Sequence, residues 1–190
     1  MLGFKINRIV KYLIISDLIF WSSWGLITPI FAVFIIDRIE GGSVFVIGIS
    51  AAVYWILRSF LRIPIGIFLD TCPGEKDDYL FLVTGLFIAA LVPFGFVFAF
   101  LPIHIYILQA IFAIGMAMTS SGWAAIFTRH IDKGRESTQW GIDATSVGLG
   151  IGIFGLVGAS FLLFLRKDIR GVFDHGLHFS FKDIFDETRK

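Results

Sequence analysis

The chain has 190 residues, of which 56% are hydrophobic and 16% aromatic, and its mean hydropathy is +0.83. A soluble domain of this size needs no such excess, so a membrane protein is expected, and a net charge of +1 gives no footing for nucleic acid. The single cysteine, Cys72, excludes an internal disulfide.

Five stretches reach the roughly 20 mainly apolar residues that a spanning helix needs. They are 12–36, 43–69, 79–101, 103–128 and 142–165. The predicted fold is therefore all-α, a polytopic transmembrane bundle over 1–165 with a charged tail over 166–190. The first span follows a basic leader, Lys5, Arg8 and Lys11, but carries Asp17 and lacks a small-residue cleavage site, so it reads as an uncleaved helix. Short connections predict that consecutive helices are antiparallel neighbours in one bundle.

Basic residues gather in the leader, at Lys76, and at Arg129, Lys133 and Arg135, whereas the first and third connections hold only Arg38. That bias places the N-terminus in the cytoplasm; the expected location is a bacterial plasma membrane, with the lipid bilayer as its surroundings. Five crossings would leave the basic tail outside, against the same rule. Three explanations stay open: an incomplete fifth crossing, a tail on the outer surface, or a missing sixth helix. Within the tail, Ile169, Val172, Phe173, Phe181, Ile184 and Phe185 fall at the spacing of an interfacial amphipathic helix, with a partly disordered tail as the alternative.

An ionisable residue in the middle of a span costs about 2.5–3.5 kcal/mol and needs an interior position or a partner. Asp17, Arg58 and Arg62 meet that description. On a rise of about 1.5 Å per residue, Asp17 lies roughly 9 Å from Lys11 and Arg62 roughly 12 Å from Asp70. The two are expected at similar depth, as an ion pair, with Arg58 deeper and free for an anion, for snorkelling or for a helix carbonyl. Asp17 shares a face with Trp21, Trp24 and Thr28, and Tyr54, Arg58 and Arg62 form a second stripe, so a lined cavity is expected. Gln109, Met116, Ser120 and Trp123 add a weaker stripe on the fourth helix. Asp143 reads as an interfacial helix-start residue rather than a proton carrier. In "VGLGIGIFGLVGAS", Gly148, Gly152, Gly155 and Ala159 form a small-residue stripe that predicts close helix packing.

The segment "GIFLDTCPGEK" between the second and third helices resembles the signature loop of the major facilitator superfamily. Gly66 and Asp70 match its two most characteristic positions, Gly74 falls one residue late, Thr71 replaces a usual basic residue, and Lys76 restores part of the charge. "LQAIFAIGMAM" is similar to the family's fourth-helix stretch, with Gln109 in place of its arginine, and "HIDKGRESTQWGID" resembles its link before helix five. The resemblance covers 9–165, the first half of a fold that usually has twelve helices. It implies a secondary transporter moving a small solute by alternating access, as a homo-oligomer or with a second half-transporter chain. It places Arg58, Asp17, Trp21 and Trp24 on the shared cavity and Asp70 at a contact between halves. The alternative is a non-transporting membrane scaffold or a degenerate transporter fragment. No enzyme is expected: Ser120, Ser121 and His104 lack an orienting carboxylate, and His175 and His178 make no metal-spaced cluster. No cofactor or metal is expected either.

Overall fold

A computed structural model describes residues 6–170, with side chains described over 6–164. It contains five helices: α1 (Arg8–Arg38), α2 (Val44–Thr71), α3 (Lys76–Phe96), α4 (Pro102–His130) and α5 (Glu136–Arg170). All five are long and apolar enough to cross a membrane. The architecture is thus the expected all-helical bundle of five span-length helices, and the charged tail beyond 170 lies outside the described residues.

The helix ends follow local chemistry. The Asn7 side chain caps α1 by accepting from the Ile9 amide at 3.0 Å, and Ser43 caps α2 by accepting from Val46 at 3.4 Å. α3 stops at Phe96 although 97–101 is fully apolar. Pro93 already weakens its last turns, and Pro102 opens α4 and disfavours helix at the residue before it. Phe100 instead offers its carbonyl to the Glu40 amide at 2.9 Å, tying the third connection to the first. At the other end of the bundle, α5 begins at Glu136, six residues before its apolar run, where the Gly134 amide donates to the Glu136 carboxylate at 3.0 Å. Gly134 and Gly74 both have positive φ, a conformation that favours glycine in these turns.

Packing departs from the expectation of consecutive neighbours. Only α3 and α4 pack along their lengths as successive antiparallel helices. The other extensive contacts join α1 to α5 and α2 to α4, while α1 touches α2 and α4 lightly. Both new pairs are parallel: Gly150 meets Leu18 and Ser22 while Gly158 meets Leu26 and Pro29, and Tyr54 stacks near Phe112 while Val46 shares a cluster with Ile105. Short loops fix helix ends, not helix flanks.

Glycine decides which flanks meet. A β-carbon on Gly25 would stand 2.7 Å from the Ile151 carbonyl oxygen and 2.9 Å from its Cα. Across α3 and α4, a β-carbon on Gly115 would stand 2.7 Å from the Gly85 carbonyl oxygen, and one on Gly122 2.9 Å from the Leu82 amide. Backbone cannot yield as a side-chain tip can, so these glycines set the interhelical spacing. The small-residue stripe expected on α5 is rotated. Gly148 and Gly152 face open space, Gly155 makes an ordinary contact with the Gly25 carbonyl at 3.7 Å, Ala159 is half-buried, and the close approaches fall at Gly150 and Gly158. The stripe was chosen on one helix alone, whereas the contact is set by where Gly25 lets α1 approach.

At the end of the bundle where α1 starts, a polar cluster joins distant segments. Arg129 pairs with buried Asp78 and donates to the Gly74 carbonyl. Asn7 donates to the His130 carbonyl at 3.1 Å, and buried Gln139 accepts from the Asp132 amide at 3.2 Å while donating to its carboxylate. This holds α1, α4 and the turns before α3 and α5 at one end.

Replacing Gly25 by Ala is expected to destabilise the protein by about 1–3 kcal/mol, the usual overpacking cost, while Gly148→Ala stays within about 0.5 kcal/mol. Unfolding midpoints of the two variants in detergent check the contrast.

Candidate functional site

Because α1 and α5 form one tight unit and α2, α3 and α4 another, a seam runs between them. A cavity of about 240 Å³ opens in that seam, lined by all five helices. α1 contributes Ser16, Asp17, Phe20 and Trp21, α2 Arg58 and Arg62, α4 Ser120 and Trp123, and α5 Trp140. Arg58 lies 14 residues into the 28 of α2, or about 21 Å from its start at 1.5 Å per residue. It sits at mid-span.

The cavity is bracketed along α1. Toward the start of the helix, Val10, Ile14 and Phe127 form an apolar cluster, with Trp123 stacked on Phe127 at 4.5 Å and Trp140 against both. Toward its end, Trp24 stacks on Phe112 at 4.5 Å and Phe112 on Tyr54 at 5.2 Å. Asp17 and Trp21 lie between the two aromatic layers.

Arg58 is held by aromatic faces. Its guanidinium carbon stands 5.3 Å from the Trp55 ring centroid, 5.7 Å from Tyr54 and 5.9 Å from Trp21, and one nitrogen donates to the Tyr54 hydroxyl at 3.2 Å. Stacked rings stabilise the charge while leaving donors unused. Asp17 lines the same cavity as Arg58. Among the described residues no ion pair joins Asp17 to Arg62. The expected ion pair is not formed, and among the described residues none joins Asp17 to Arg58 either; Trp21 of α1 lies over Arg58, and Arg62 is exposed.

The remaining sequence candidates divide. Trp123 lines the cavity and donates weakly to the Leu13 carbonyl at 3.5 Å, linking α4 to α1. Trp24 is in the apolar layer beside it, and Gln109 is buried within α4; neither lines the cavity. Gly66 and Asp70 line a second groove between α2 and α4, with Arg62, Ser121, Thr128 and Arg129. Gly74 forms the following turn, and Lys76, exposed, opens α3.

Asp143 is not at the start of its helix as expected. It lies seven residues inside α5, is 7% exposed, and its Oδ1 has no hydrogen-bond partner. Its burial was hidden in the sequence because the polar start of α5 looks like loop. Among the described residues, no group of three or more His, Cys, Asp or Glu side chains is placed to hold a metal ion. No family model, curated protein or solved structure matches the chain.

Arg58 and Asp17 line one cavity, so R58A and D17N are expected to be coupled by about 0.5–3 kcal/mol in a double-mutant cycle, with D17N recovering part of the loss. R62A and D17N are expected to add. Unfolding free energies of the singles and doubles give both numbers.

Proposed function

We propose that this chain is half of a secondary transporter, binding a small anionic solute at Arg58 and working with a second copy or a second half-transporter chain. The observation that carries the reading is the exchange pattern of the packing. α1 pairs in parallel with α5, and α4 pairs in parallel with α2. Swapping the first helix of each triplet, α1 with α4, and the second, α2 with α5, turns one pair into the other. Inverted three-helix repeats give this relation, and in such folds the solute site lies at the midplane between repeats. Arg58 has that depth and that place, on the seam.

The likeness of "GIFLDTCPGEK" to the major facilitator signature loop supports the same reading. Gly66 has no neighbour within 4 Å of a built β-carbon, and Asp70 is exposed on the α2–α4 groove, an arrangement suited to contact with another half. Alternating access then consists of the α1–α5 unit rocking against the α2–α3–α4 unit, with few contacts to break between them. A lined seam with an aromatic-caged arginine is more than a passive scaffold needs.

Proteoliposomes containing the purified chain are expected to take up at least one member of a panel of small organic carboxylates and phosphates. R58A, folded as judged by gel filtration, is expected to reduce that uptake at least tenfold. Absence of uptake together with no thermal stabilisation of the wild type by any panel member overturns the transporter reading and leaves the scaffold.

A further inference from the structure

The α1–α5 interface contains two carboxylates that its packing brings to one level. Ile142 packs against the cluster of Ile14, and Leu18 and Ser22 meet Gly150, so the parallel register sets Asp143 within about a turn of Asp17. The two groups are separated from water unequally: Asp17 edges the cavity, whereas Asp143 is 7% exposed and its Oδ1 lacks any donor.

We propose that Asp17 and Asp143 form a carboxylate pair that binds one proton across the α1–α5 interface. A single proton relieves the repulsion between neighbouring carboxylates, and a protonated carboxyl can donate where an ionised one can only accept. The charged groups around the pair come from α2. α2 presents Arg58 to Asp17, and its Arg62 is exposed and shared with the groove that holds Asp70. The α3 and α4 residues on the cavity, Leu82, Leu86, Met116, Thr119, Ser120 and Trp123, carry no charge. The cations on the cavity are thus Arg58 and Arg62, and one proton lowers the negative charge that the two acids hold between them.

The consequence rests on the transporter reading above. Arg58 is shared between Asp17 and an incoming anion. Protonation of the pair weakens the hold of Asp17 on Arg58 and frees the guanidinium, so proton and anion bind each other's state more tightly. The coupling cation is a proton, taken up with the anionic solute.

Infrared difference spectra of the solute-free wild type between acidic and alkaline pH test the pair directly. A protonated-carboxyl band is expected to titrate, to vanish in Asp17→Asn/Asp143→Asn, and to shift its midpoint at least tenfold in proton concentration in either single variant, since the pair titrates as a unit. Asp143→Glu is expected to keep the band, and it stands in if Asp143→Asn fails to fold. A band that no substitution alters, or that each single variant leaves at an unchanged midpoint, overturns the pair. A band displaced by NaCl but not by choline chloride assigns the site to sodium and overturns the proton. Because no solute is present, loss of the transporter reading leaves this result standing, and transport without the band removes the pair alone.

Discussion

The architecture depends on where backbone is allowed to touch backbone. Helices in a bilayer gain little from hiding apolar side chains, since the lipid is equally apolar, so association relies on close packing. Gly25 with Ile151 and Gly85 with Gly115 supply it here, and they do so for α1 with α5 and for α3 with α4. No comparable contact draws α1 onto α2 or α4. The seam left between the two units is therefore a direct result of glycine placement, and Asp17, Arg58 and Ser120 fall on it because they are the residues that lipid would reject.

The site follows from that seam. Arg58 costs less at mid-span because Trp21, Tyr54 and Trp55 surround it with ring faces, and because it shares a polar cavity with Asp17 of the neighbouring unit. The same contacts span the boundary between the units. A change in the charge of Asp17 or the arrival of an anion at Arg58 therefore acts where the two units meet, which is where a rocking motion would be governed. The Asn7–His130 hydrogen bond joins the units at one end, and the Glu40–Phe100 hydrogen bond with the buried cluster of Ile35, Ile39, Val46 and Ile105 joins them at the other.

Much of the element map was legible in the sequence. Span lengths, the cavity face of Asp17 and Trp21, and the stripe of Tyr54, Arg58 and Arg62 all follow from helical periodicity and from the cost of charge in lipid. Which helices pair was not legible, because short loops constrain ends only, and because Gly25 and Gly150 matter jointly while periodicity reads each helix alone. The expected Asp17–Arg62 ion pair is not among the described ones for a related reason: depth along a helix follows from the sequence, azimuth does not, and Arg62 is shared between the cavity and the α2–α4 groove. Asp143 reads as a helix start in the sequence because α5 begins before its apolar run does.

The polar seam is tested most directly by chemical access. In a Cys72→Ser background, Ser120→Cys lines the cavity, whereas Ala113→Cys sits on the same helix in the apolar layer beside it, fully buried. A small charged thiol reagent is expected to modify S120C and to leave A113C unmodified until the protein is unfolded. Equal modification of the two, or an inert S120C, would contradict a water-accessible seam between the α1–α5 and α2–α3–α4 units.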